Sequence, residues 1–148
     1  MDGRERSRPS QVRVKRCGKS APAPAATLAD GTASGTVSST LAQTQVIRAL
    51  VGGEAITDTL IVEWYAGEAD VDSSTIAAVP GAVVANGTDE TVVTVTALDE
   101  YNNPVQGVAV VLTATGSGNN ITQPAVVTDG NGIATGRISS TVAQTKTI

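Results

Sequence analysis

The sequence predicts an all-β fold, an immunoglobulin-like β-sandwich, and three observations carry that prediction. Residues 91–98, TVVTVTAL, place Thr and Val at nearly every position, which favours a pleated strand over a helix. The stretch 83–112 reads as strand, turn, strand, polar corner and strand, with the corner at Asp99-Glu100-Tyr101-Asn102-Asn103-Pro104. Gly31–Ile47 returns as Gly132–Ile148 at an offset of 101 residues, with ten of seventeen positions identical. A unit of about 100 residues has the size of a single β-sandwich and is too long for a solenoid or propeller repeat. The natural reading is tandem domains.

The elements follow in order. Residues 1–26 form a basic leader with few apolar groups, expected to be disordered. Residues 27–66 read as the C-terminal part of one repeat. Within it Thr44–Leu50 is a candidate strand, Gly52-Gly53-Glu54 a turn and Thr57–Trp64 the closing strand. Residues 67–75 are the expected linker, short and acidic. Residues 76–148 read as a second repeat without its final strand. Its strands are expected at Val83–Ala85, Thr91–Leu98, Val108–Thr113, 121–128, Ile133–Ser139 and from Val142 onward. Val93, Val95 and Ala97 should line one inner row and Val108, Val110 and Leu112 another, because side chains alternate faces along a strand. Thr128–Gly132 is expected to be a tight turn. The second repeat would leave an uncovered sheet edge. Strands of the first repeat, near Val46–Leu50 and Thr57–Trp64, are candidates to fill it, within one chain or between two.

Composition limits the chemistry. Aromatic residues make up 2%, with no Phe and no His, so Val, Ile, Leu and Ala must build the core. The net charge of −4 hides an asymmetry. Residues 1–19 carry seven Lys and Arg against two acids, giving +5, and residues 20–148 carry three against twelve, giving −9. The acidic body disfavours nucleic acid as a partner. No apolar run approaches the ~18 residues of a membrane-spanning helix, and no secretory h-region follows the basic start. Cys17 is the only cysteine, so neither a disulfide framework nor a Cys-x-x-Cys site is expected.

Each stretch that could carry chemistry reads better as structure. Asp99 and Glu100 are adjacent and should point to opposite faces, a poor arrangement for paired catalytic carboxylates. Asp99 is expected to accept backbone N–H groups and fix the turn. Asp129-Gly-Asn-Gly132 resembles part of a calcium loop but lacks the remaining oxygen ligands. Asp70 and Asp72 supply two carboxylates where calcium wants six to eight oxygens. Ser38, Ser39, Ser139 and Ser140 have no His to activate them. Asn86-Gly-Thr88 and Asn120-Ile-Thr122 match the glycosylation pattern, which matters only in a eukaryotic secretory context. Trp64, Tyr65 and Tyr101 are the candidates for an aromatic ligand platform. The expectation is therefore no catalytic, cofactor-binding or metal-binding residue, no cofactor and no enzyme activity.

The sequence resembles bacterial Ig-like domain family 1, the repeat of invasin- and intimin-type adhesins. The resemblance rests on Ala85-Asn-Gly with Thr91-Val-Val-Thr-Val-Thr-Ala, Leu98-Asp-Glu-Tyr-Asn-Asn-Pro-Val-Gln-Gly107, Val108-Ala-Val-Val-Leu-Thr, Thr128-Asp-Gly-Asn-Gly-Ile-Ala134 and Ile138-Ser-Ser-Thr141. Asn102 stands where the family corner usually has Gly, a mild departure because Asn tolerates positive φ. The resemblance implies a spacer in a rod of β-sandwiches that holds a binding tip away from a bacterial surface. Its implied partners are neighbouring repeats of the same polypeptide and, through other domains, a host-surface protein or glycan. The implied location is the outer-membrane cell surface or the secreted space. The alternative is a carbohydrate- or protein-binding accessory module of a secreted protein.

Overall fold

The computed structural model describes residues 11–15, 25–26 and 28–148, with side chains from residue 28 onward. The rest of the 1–26 leader lies outside the described residues. Among the described residues every regular element is a strand. The chain divides into two compact units, Met1–Tyr65 and Ala66–Ile148.

The first unit holds β1 (Gln11–Lys15), β2 (Ala25–Ala26), β3 (Thr44–Val51) and β4 (Glu54–Glu63) in one antiparallel sheet of order β2-β1-β3-β4. β3 and β4 form a hairpin around Gly52 and Gly53, both at positive φ, where glycine carries no steric cost. The pairing runs from Thr44 opposite Glu63 to Val51 opposite Glu54, with a bulge between Arg48 and Leu50. The sequence located both strands of this hairpin. β1 pairs along the other side of β3, with Val12 opposite Val51 and Lys15 opposite Arg48. Two short strands thus lie inside the stretch expected to be a disordered leader.

The second unit holds β5 (Asp70–Val79), β6 (Thr91–Leu98), β7 (Asn119–Thr122) and β8 (Ile133–Ser140), in the sheet order β5-β6-β8-β7, all antiparallel. β6 and β8 lie where the alternation of Thr and Val places them. Val93 and Ala97 of β6 and Ala134 and Ile138 of β8 are buried, while Val92, Ile133 and Arg137 face outward. The segment 108–115 runs extended across this face. Leu112 is buried with Val93 and Ile138, and Val95, Val110, Ala114, Ile121 and Ile148 pack around them. This is the predicted inner row, and it supplies the second layer of the sandwich.

Gly136 shows how close the layers come. A Cβ there would lie 2.4 Å from Leu112 Cδ1 and 2.7 Å from the Thr122 carbonyl oxygen, so β8 needs a residue without a side chain where the second layer crosses it.

Four sequence expectations are corrected, and one of them is the strand from Val142 onward, which does not form: the last strand is β8 and residues 141–148 pair in no sheet. Val83–Ala85 is not a strand; the strand before β6 is β5, which starts at Asp70 inside the expected linker. Val108–Thr113 is extended but forms no ladder. At Val108 the carbonyl accepts the Thr128 N–H (2.9 Å), and at Leu112 the ties are to a side chain: the Gln123 amide donates to the Leu112 carbonyl (2.8 Å) and its Oε1 accepts from the Leu112 N–H (2.7 Å). The 121–128 strand is displaced to Asn119–Thr122, where Asn119 to Thr122 pair with Ser140 to Arg137 of β8.

Candidate functional site

The polar corner after β6 joins two buried polar side chains, Asp99 and Asn103, in one hydrogen-bond cluster. Asp99 and Asn103 are 2% and 3% exposed, whereas the adjacent Glu100 is exposed, as opposite facing requires. Asp99 Oδ1 accepts the backbone N–H groups of Tyr101 and Asn103, both at 2.9 Å, and Asn103 Nδ2 at 3.1 Å. Oδ2 accepts the Gly67 N–H and Asn103 Nδ2, both at 2.9 Å. The Asp99 N–H donates to the Asn103 carbonyl and the Asn102 N–H to the Asp99 carbonyl. Asn102 holds φ at 64°, the left-handed conformation that the family pattern usually gives to Gly.

Burial pushes the Asp99 carboxyl up, but the donors of Asn103, Gly67 and Tyr101 outweigh it and hold the pKa at about 2. A carboxylate so held is ionised at neutral pH, and its roughly four lone-pair sites are already occupied. It has no capacity left to move a proton or bind a cation.

The Thr128–Gly132 turn packs against this corner. Gly132 sits at φ 73°, and a Cβ there would lie 2.4 Å from the Ala97 carbonyl oxygen and 3.4 Å from Pro104 Cα. Its own carbonyl accepts the Ala97 N–H. Asp129 Oδ1 accepts the Asn131 and Ile133 N–H groups at 2.9 Å, and these bonds, Ile133 first, lower its pKa. Thr128, 1% exposed, donates from Oγ1 to the Val105 carbonyl (2.7 Å) and accepts from the Val108 N–H (2.9 Å). The two turns thus interlock, and their carboxylates serve backbone. Sequence reasoning singled out Asp99 and Asp129 and placed Thr128 in the turn and in the family motif, but not in the buried role its hydroxyl plays.

The other candidates do not converge. Asp70 Oδ2 accepts the Ser73 N–H at 2.9 Å, and Asp72 is exposed. Among the described residues no group of three or more His, Cys, Asp or Glu is placed to hold a metal ion. Ser139 is buried and donates to the Gly87 carbonyl, while Ser140 closes a local turn with Val142. Asn86 Oδ1 accepts from the Thr88 and Asp89 N–H groups and the Thr88 hydroxyl. Tyr65 is 83% exposed, and its hydroxyl donates to Glu63. Tyr101 is 54% exposed. Cys17 lies outside the described residues.

One concavity was not legible in the sequence. A groove of about 410 Å³ lies between residues 80–85 and 142–148, floored by Thr91 and Ile138. The Thr91 hydroxyl donates to the Pro80 carbonyl and ties one wall to β6. Lys146 is the single charged residue that lines it.

An antiparallel sheet under an extended second layer, with polar corners that serve the backbone, defines an immunoglobulin-like β-sandwich module. Residues 73–148 match the bacterial Ig-like domain (group 1) family, and the chain belongs to that family. Among solved structures it is similar to the crystal structure of invasin, a bacterial integrin-binding protein, at 23% identity and a TM-score of 0.49. That match covers 91% of this chain and 27% of the invasin chain. No curated protein matches.

Proposed function

We propose that this chain is a structural spacer of a bacterial adhesin, a run of Ig-like repeats that extends a binding tip contributed by other domains. The observation that carries the reading is the repeat at an offset of 101 residues, within a chain that belongs to a bacterial Ig-like family. Tandem copies of one sandwich make a rod, and a rod needs no ligand site of its own. The corner chemistry supports this, since the most buried carboxylate is spent on the fold. The partners are then neighbouring repeats of the same polypeptide, with a host-surface protein or glycan met by the tip. The location is the outer-membrane cell surface or the secreted space.

The test is replacement. Arrays of this repeat are displayed on bacteria beneath a known adhesive tip, and adhesion is compared with arrays of an unrelated β-sandwich of equal length. Adhesion should follow length and not sequence. Saturable binding of the untipped chain to host cells or a glycan array, lost in Tyr101→Ala, would replace the spacer reading with that of an accessory binding module.

A further inference from the structure

We propose that the open edge of β5 is a pairing site, and that it takes β5 of a second copy of this chain, antiparallel about a two-fold axis at Ala77. β5 and β7 are the edge strands of the second unit's sheet, so each carries main-chain N–H and C=O groups along one side that no described strand meets. β7 is four residues long, a length that blunts an edge, and β5 is ten. The first half of β5 is protected by Asp70 and Asp72 and by the register shift between Asp70 and Thr75. The second half is not. Thr75–Val79 pairs with β6 in unbroken register, Thr75 opposite Thr96 through Val79 opposite Val92, and holds no charge, proline or glycine. Thr75, Ala77 and Val79 lie beside Thr96, Thr94 and Val92 in the row that faces away from the second layer, and all three are exposed, Val79 at 70%. The edge belongs to the β6 sheet, whereas Thr147 bonds to Thr115 in the other layer.

The occupant follows from hydrogen bonding and from charge. A row of open main-chain groups is matched by another extended strand, and antiparallel pairing lets a strand match its own copy. With the axis at the centre of the regular stretch, Ala77 lies opposite Ala77 of the second copy, and Thr75 opposite Val79 of the second copy. Two β-branched side chains make a favourable cross-strand pair. The same count sets Asp72 toward position 82 and Asp70 toward position 84, an Ala and a Val, so no carboxylates meet although residues 20–148 carry −9. A parallel arrangement would put Asp70 and Asp72 beside their own copies, at a like-charge cost. The two four-stranded sheets then join edge to edge. The contact uses the same patch on both copies, so it closes at the dimer. A ladder of five residues buries less than the ~1,000 Å² of a stable interface, so a single contact is weak. Repeats in tandem add such contacts through effective concentration. The inference does not depend on the spacer reading.

The test uses the full chain with Cys17→Ser, so that any cross-link comes from an introduced thiol. Sedimentation equilibrium should show the average mass rising toward that of a dimer, and no further, as concentration is raised. Ala77→Lys should hold the chain at the monomer mass. Thr135→Lys, exposed on the same face of the sheet but in β8, should leave association unchanged. Both positions are exposed, so both variants should keep the wild-type circular dichroism. On mild oxidation Ala77→Cys should form a disulfide-linked dimer and Thr135→Cys should not, because directly opposite Cβ atoms lie ~4.5–5.5 Å apart. Alternate amides of residues 75–79 should exchange about tenfold more slowly in concentrated than in dilute samples. A chain that stays monomeric, a mass that grows past the dimer, or Ala77→Cys that cross-links no better than Thr135→Cys would each overturn the proposal. Association removed by Thr135→Lys and kept by Ala77→Lys would overturn it too, and would mark the face of the sheet as the contact in place of its edge.

Discussion

Ala33, Gly35, Val37 and Ser38 stand in the first unit where Ala134, Gly136, Ile138 and Ser139 stand in the second, in stretches that share most of their residues. In the second unit these positions are buried and form β8, between β6 and β7. In the first unit residues 32–39 form no strand, and the four positions are exposed or half-buried. Related sequence, with the same residue type or a Val-for-Ile exchange at the four inner positions, thus has two outcomes. The difference lies in the partner: β8 pairs with β6 from Thr91 opposite Ile138 to Thr96 opposite Ile133, and residues 32–39 have no such ladder. β-propensity measures fit to neighbours more than any preference of the backbone itself. The local turn behaves differently. Ser39 Oγ donates to the Leu41 carbonyl and accepts its N–H, and Ser140 makes the same two bonds with Val142. Short-range hydrogen bonds carry over between the copies, and ladders do not.

The sharpest way to break this comparison is to remove core from each unit. Leu112→Ala should cost about 2–5 kcal/mol, because the side chain is 4% exposed and seals the contact between layers. Leu41→Ala, at a 55% exposed position, should change stability by no more than about 0.5 kcal/mol. Urea denaturation with exchange read unit by unit separates the two. Equal losses would mean that the first unit has a core of its own that its exposed side chains do not show.

Glycine offers a matched pair. Gly136→Ala drives a methyl into Leu112 and into the Thr122 carbonyl, which is backbone and cannot step aside, so about 1–3 kcal/mol should be lost. Gly35→Ala, at the equivalent exposed position, should be neutral or stabilise by a few tenths of a kcal/mol through the unfolded chain. Thermal melts of the two variants decide it. A loss at Gly35 as large as that at Gly136 would show that residues 32–39 are packed in solution as β8 is.

The third contrast is in pH. Asp99 is buried with a folded pKa of about 2, below its ordinary 3.8, and Asp30 is exposed and lowered by its bonds to Thr32. A depressed carboxyl contributes stability that is complete above the unfolded pKa and is lost as pH falls through the folded one. The second unit should therefore weaken as pH falls from about 4 toward 2. Asp99→Asn should shrink that window to the part that the lowered Asp129 carboxyl contributes, at the cost of stability at neutral pH. Asp30→Asn should leave the second unit's pH profile unchanged. A wild-type melt that is flat across the window would remove Asp99 from this role.

Much of this was readable in the residues. Val93, Val95 and Ala97 announced the inner face of β6, and Gly52-Gly53 announced the hairpin of β3 and β4. The Asp99–Pro104 cluster announced a turn, and the family resemblance, with Asn102 in the place of Gly, implied its positive φ. β5 was hidden because Asp70, Asp72, Ser73 and Ser74 give it no apolar row. What makes it a strand is its ladder to β6, Thr75 opposite Thr96 through Val79 opposite Val92. The reverse error came at Val108–Thr113, whose alternation is real but whose backbone finds a side chain, Gln123, where a ladder was expected. The groove was illegible because its walls, 80–85 and 142–148, are more than fifty residues apart and carry no periodic pattern.

The smallest effect tests the other half of the comparison. If the serine turns are local, Ser140→Ala and Ser39→Ala should cost the same, each within the ~0.5–1.5 kcal/mol of a hydrogen bond and toward its low end because both turns reach water. The readout is amide exchange at Val142 and Leu41, which lose their acceptor in the respective variants. Both amides should speed up by similar factors, although one turn follows a paired strand and the other does not. A loss confined to Ser140 would mean that its turn depends on the β8 ladder, and that the two copies share a sequence there without sharing a structure.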